Sequence, residues 1–168
     1  MQCKLKKVLL LLGLTLCLTI SLSACNRAIE VPYTEVSSGT TKDDLVEQLG
    51  GKADQKKDED GLVFYQYSKS KYLDYEGTMT YYLSEDTVAF SRWEYEAETK
   101  EDCEKAYHAI LSDLEKQYNE GEQTEDNTGT TTVWNTDAKN ITLVYTNNEE
   151  LGNTISITSI DISKGKLQ

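Results

Sequence analysis

Four cysteines and a single histidine bound the covalent and metal chemistry open to this 168-residue chain. Cys3, Cys17 and Cys25 crowd the N-terminus, and Cys103 is the one cysteine beyond them. Cys103 lies on an apolar helical stripe, where a free cysteine behaves as a small hydrophobe; a reactive thiol would instead need exposure and a lowered pKa. His108 stands in the same segment, off that stripe and with no second histidine. A zinc site or a Ser–His or Cys–His catalyst has little to draw on, and an exposed helical histidine is the plainer reading. Asp58-Glu59-Asp60-Gly61 has the acidic start of a calcium loop but lacks its ligand spacing and terminal Glu, so it reads as a solvated turn. Twenty-nine carboxylates single out no acid–base pair, and no glycine-rich phosphate loop is present. The sequence therefore points to no cofactor, no metal and no enzyme. The enrichment that stands out is aromatic, with eleven tyrosines and two tryptophans. Tyr65, Tyr67, Tyr72, Tyr75, Tyr81, Tyr82, Trp93 and Tyr95 cluster in one stretch. Such rings either pack a core and cover sheet edges or form a platform for a protein or glycan.

The first 25 residues carry a separate chemistry. Lys4, Lys6 and Lys7 precede an almost wholly apolar run over 8–22, too short and too diluted for a membrane span but suited to an export signal. Leu22-Ser23-Ala24-Cys25 resembles the lipobox of bacterial lipoproteins. The resemblance implies removal of residues 1–24, a diacylglycerol thioether on Cys25, and a domain held at the extracytoplasmic face of a cell membrane or envelope. Buried acyl methylenes contribute roughly 0.8 kcal/mol each, so two or three chains anchor stably. Cys103 would then be the sole free thiol, and no intramolecular disulfide could form. Without the three signal lysines the formal charge of −12 becomes −15. That argues against nucleic acid or an anionic bilayer surface as partner, and suits a soluble exported domain.

Residues 25–40, with Pro32 and Ser37-Ser38-Gly39, read as a tether. Two passes through one pattern follow, over 41–96 and 97–168. Each opens on a capping signal, Thr41-Lys42-Asp43-Asp44 and, 58 residues later, Thr99-Lys100-Glu101-Asp102. The first helix has Leu45, Val46 and Leu49 on its apolar face and stops at Gly50-Gly51. The second is longer, with Cys103, Ala106, Tyr107, Ile110, Leu111, Leu114 and Tyr118 on one stripe, and Gly121 as its stop. An acidic loop follows each helix, at 54–61 and 122–129. Three strands follow each loop, at 62–67, 78–83 and 87–95 and then at 130–136, 140–146 and 154–163. The last strands share a phase break: Val88, Phe90, Trp93 and Tyr95 recur 67 residues on as Ile155, Ile157, Ile160 and Ile162. A bulge near Ser91-Arg92 and near Thr158-Ser159 would bring each apolar set to one face. The expected class is α+β: two αβββ repeats whose antiparallel strands form one sheet or two, with the helices packed on one face.

Gly39, Thr41, Asp44, Leu45, Leu49 and Gly50 match the opening motif of small bacterial lipoproteins with the β-lactamase-inhibitor-protein-like fold, the SmpA/OmlA group. The chain resembles that family over this stretch. Gln48 replaces a usual apolar residue, and no proline follows Gly50. The resemblance implies a protein-binding or envelope-assembly module, sometimes in tandem copies, without catalytic residues.

The reading that results is a membrane-anchored, non-catalytic protein-interaction module, attached through Cys25 and binding an envelope or extracellular protein. The alternative is a sensor domain for a small ligand, glycan or ion. The surface expected to bind is the open face of the first-pass sheet and its 69–75 loop: Tyr72, Tyr75 and Tyr82, with Lys69 and Lys71 as steering charges.

Overall fold

The structure, a computed structural model, describes residues 29–30, 36–49, 53–57, 63–148 and 150–162. The export signal, Cys25 and the Gly50-Gly51 stop lie outside these residues. The elements are β1 (Ile29–Glu30), α1 (Lys42–Leu49), β2 (Asp54–Lys57), β3 (Val63–Tyr72), β4 (Tyr75–Ser84), β5 (Thr87–Glu96), α2 (Lys100–Tyr118), β6 (Glu122–Glu125), β7 (Gly129–Asn135), β8 (Lys139–Asn148) and β9 (Gly152–Asp161). All nine strands join one sheet in the order β1-β3-β4-β5-β9-β8-β7-β6, with β2 also on β3. Every pairing is antiparallel except β1 on β3. The class is therefore α+β, with a single sheet. Neither described helix is long and apolar enough to cross a membrane.

The helices begin where the capping chemistry puts them. Thr41 Oγ1 donates to Asp44 Oδ2 at 2.7 Å and accepts from the Asp44 amide at 3.2 Å. Thr99 and Asp102 repeat the exchange at 2.7 and 3.1 Å. Each pair satisfies an amide that the first helical turn leaves without a partner. The end of α2 differs from expectation. Its cap is Asn119 at φ 67°, and Gly121 serves a close approach instead, since a Cβ there would meet the Trp134 ring at 2.7 Å. The Trp134 indole donates to the Asn119 carbonyl at 2.9 Å, locking that end to β7.

Both helices cover the same face. Lys42 at the start of α1 sits over the Tyr65 ring of β3, and the Tyr72 hydroxyl, on the same face further along β3, donates to Asp113 of α2 at 2.8 Å. Beneath them, Met79, Trp93, Ile157 and Leu143 stand in register across four strands, none more than 1% exposed. Cys103, Ala106, Tyr107, Ile110 and Leu114 of α2 press on this row, and Leu45 of α1 joins the same core. Leu111 is only half-buried at its margin.

Two pairing irregularities set what faces outward. In β3 the register shifts between Ser68 and Ser70, where Lys69 takes φ 64°. The bulge turns Ser70 and Tyr72 to the covered face. It also lets β3 run five residues past the expected end at 67, into a tight hairpin with β4. In β5 the shift falls opposite Tyr82 and Leu83, leaving Ala89 unpaired between Val88 and Phe90. The expected bulge at Ser91-Arg92 is thus displaced toward the start of the strand, and Phe90 points outward rather than to the helices. β9 has no counterpart, because its ladder with β8 is unbroken from Lys139↔Asp161 to Asn148↔Gly152. Ile155 and Ile157 are buried, while Ile160 and Ile162 are exposed at 39% and 44%. β2 and β6 replace parts of the two expected acidic loops.

Candidate functional site

Strict alternation on β4 sends Met79, Tyr81 and Leu83 under the helices and Thr78, Thr80 and Tyr82 to the other face. That face carries no helix. Phe64 of β3, Tyr82 of β4 and Phe90 of β5 are in register across it. Phe64 and Tyr82 lie 5.8 Å apart and tilted; Tyr82 and Phe90 stack at 4.3 Å and 13°. All three rings are half-buried. The result is a continuous aromatic ledge, apolar along its middle and carrying the Tyr82 hydroxyl as one polar handle.

A second row borders the ledge. Gln66, Thr80, Arg92, Thr158, Thr142 and Val133 face outward in register on successive strands. Arg92 is near the sheet centre, on the strand that joins the two halves. Its Nη2 lies 3.0 Å from Glu94, while its Nε has no hydrogen-bond partner among the described residues. Thr80 beneath these larger neighbours is only 2% exposed. Beyond Arg92 the outer face becomes small and β-branched, with Ser156, Thr142, Val144 and Thr146. This surface can bury rings and exchange a few hydrogen bonds. It presents no paired nucleophile and base, and among the described residues no three His, Cys, Asp or Glu converge on a metal-sized site.

The residues expected to bind are not all in one place. Tyr82 is on the open face. Lys69 and Lys71 are exposed along the outer part of β3. Tyr72 is not a surface residue: it is 8% exposed and its ring meets Trp93 edge-on at 5.8 Å. Burial, then the Asp113 hydrogen bond, pushes its hydroxyl pKa up. Tyr75 is half-buried at the helix side against Tyr95, 5.4 Å away. The bulge at Lys69 explains both corrections, since without it Tyr72 would stand outward. Phe64 appears among the expected outward sets, but Phe90 does not, and the dislocation at Ala89 is what exposes it. The signal was the Ala-Phe pair preceding the phase break, which allowed two bulge positions.

Two other candidates take structural roles. Cys103 is fully buried, and that burial pushes its thiol up to about 11, so thiolate chemistry near neutral pH is suppressed. His108 is exposed on α2, 4.0 Å from Glu104, four residues earlier on the same helix.

Comparison of the chain with protein-family models, with curated proteins and with solved structures gives no match. The resemblance to the SmpA/OmlA group therefore rests on residues 39–50 alone.

Proposed function

We propose that this chain is a lipid-anchored extracytoplasmic lipoprotein, whose domain acts as a non-catalytic protein-interaction module through the first-half open face. The observation that carries the reading is the Phe64–Tyr82–Phe90 ledge on a face that neither helix covers. Burying aromatic rings is a strong source of interface affinity, and a partner side chain laid along the stack would remove their remaining surface from water. Arg92 and Glu94 beside the ledge supply the polar rim. The anchor is the diacylglycerol on Cys25. β1 supports this arrangement: Ile29 is paired beside Ser70, four residues after Cys25, and four residues reach at most about 14 Å. The β3 edge would then stay close to the bilayer, with the sheet face free for a neighbouring envelope protein.

The repeated architecture belongs to the same proposal. The reciprocal Thr–Asp caps and the meander after each helix favour two αβββ units, 41–96 and 97–168, duplicated within one SmpA/OmlA-like lipoprotein. Met79, Tyr81 and Leu83 then correspond to Ile141, Leu143 and Tyr145. Transferred through the ladders, this alignment equates Arg92 with Thr158, which pair with one another, so a local two-fold axis would pass between the halves there.

Two experiments test the proposal. Metabolic labelling with a fatty-acid analogue is expected to mark the wild-type chain and not Cys25→Ala; label on the variant would refute the anchor. Tyr82→Ser with Phe90→Ser is expected to abolish partner association while leaving the melting curve cooperative. Undiminished association by the doubly substituted chain would refute the surface.

A further inference from the structure

We propose that a cleft on the helix side, where the ends of β4 and β5 meet the first turn of α2, is a binding site for an alkylammonium group. The cleft encloses about 370 Å³ and is lined by Tyr75, Tyr95, Glu96, Glu98, Asp102 and Lys105. Its floor is an aromatic corner. Tyr75 and Tyr95 meet at 5.4 Å with their planes 56° apart. Tyr95 is fixed from behind by Trp93, which lies parallel to it at 8° and 6.1 Å. Trp93 is itself immovable: it is fully buried, its indole donates to the Ser70 carbonyl at 3.1 Å, and it fills the space left by the missing side chain of Gly77. The corner is therefore formed before any ligand arrives, and its ring faces offer the negative side of the aromatic quadrupole.

The rim matches the floor. Three carboxylates face one ammonium, Lys105, so the cleft carries a net charge of about −2 near neutral pH. Asp102 is oriented by the Thr99 hydroxyl at 2.7 Å. The Tyr95 hydroxyl is pushed up, first by burial and then by Asp102 and other neighbours, as a negative local potential requires. An anion would be repelled here, and the Asp102 amide at the positive end of α2 already donates to Thr99. A bare metal ion is no better suited, because the carboxylates do not converge on one point. A diffuse organic cation satisfies both halves of the site: its methyl or methylene groups meet the rings while its charge faces the carboxylates. The cleft volume lies within the usual range for small-ligand pockets. It suits either a free alkylammonium compound or the end of a lysine side chain on a partner protein. The strongly acidic domain would concentrate either one near its surface.

The test is isothermal titration calorimetry on the full chain at constant ionic strength, with choline chloride in one arm and an acetyl-Gly-Lys-Gly-amide peptide in the other. Saturable heat is expected from at least one probe. Choline would identify a free ammonium compound as the source, and the peptide alone a partner's lysine. Glu98→Gln, at an exposed position that the core does not need, is expected to weaken binding by about threefold or more. Tyr75→Leu is expected to weaken it by about fivefold or more, and Tyr95→Phe to leave it within about twofold because the ring remains. Absence of saturable heat in both arms would overturn the proposal. So would an affinity unchanged by both Glu98→Gln and Tyr75→Leu.

Discussion

The outer faces of the two halves are built on the same meander but present different surfaces. In the first half, β3, β4 and β5 show Phe64, Tyr82 and Phe90 as a stacked ledge. In the second, β7, β8 and β9 show Val133, Thr142, Val144 and Ser156, small side chains without a ring among them. Composition alone does not create the difference. Trp134, Tyr145 and Tyr107 are present in the second half, but all three are buried under α2. What separates the halves is one unpaired residue. Ala89 dislocates β5, so Phe90 faces out while Val88 stays in. β9 keeps perfect pairing, so its exposed counterpart is the aliphatic Ile160 at the strand end. A single bulge thus converts a core-type residue into part of a surface, as bulges at functional edges commonly do.

The sharpest way to break the comparison lies within β5. Trp93 and Phe90 are three residues apart and on opposite faces. Trp93→Ala is expected to cost about 3–5 kcal/mol in denaturant unfolding, and Phe90→Ala no more than about 1 kcal/mol. Equal costs would mean that Phe90 is core and the ledge is not a surface. Next in size is Gly77→Ala. Its new Cβ would meet the Glu94 carbonyl at 2.3 Å and the Trp93 ring at 2.7 Å, so a loss of about 1–3 kcal/mol is expected by the same assay. Tyr72→Phe follows. It removes the 2.8 Å hydrogen bond to Asp113 and should lower stability by about 1–2 kcal/mol. No loss at all would return Tyr72 to the list of surface residues.

The smallest expected effect is a dependence on pH. Burial raises the Cys103 thiol from its ordinary 9.0 to about 11, so the native state holds its proton more tightly than the unfolded chain. The resulting stabilisation is complete below about pH 9 and is lost as the pH climbs through about 11. Unfolding free energies measured from pH 8 to 11 should fall for the wild-type chain and fall less steeply for Cys103→Ala. A parallel decline in both would show that the thiol does not contribute.

Much of this architecture was legible before any coordinates. The α2 stripe and both Thr–Asp caps follow from spacing and side-chain chemistry alone, and the α2 boundaries fall where the periodicity puts them. The inward set of β4 follows from alternation. The short strands β2 and β6 were not legible, because edge strands of polar residues pair through backbone hydrogen bonds and leave no two-residue pattern. The path of β3 beyond Tyr67 was hidden for a related reason. Ser68-Lys69-Ser70-Lys71 reads as a polar loop, yet the bulge at Lys69 returns Ser70 and Tyr72 to the core. The candidate site suffered from the same cause at Ala89: a phase break announces that a strand dislocates somewhere, but tertiary packing decides at which residue. Tyr72 was therefore expected outside and lies inside, whereas Phe90 was expected inside and lies outside.

The claim that the aromatic ledge is the interaction surface is tested most directly by site-specific photocrosslinking of the full chain in intact cells. A photoreactive phenylalanine analogue would be placed in turn at Tyr82 on the ledge, Thr142 on the second-half outer face and Glu115 on the exposed side of α2. The account predicts a discrete crosslinked protein adduct from position 82, lost when Phe90→Ser is added, and none from position 115. An adduct from position 115 with none from position 82 would contradict it, as would an adduct from position 82 that survives Phe90→Ser undiminished.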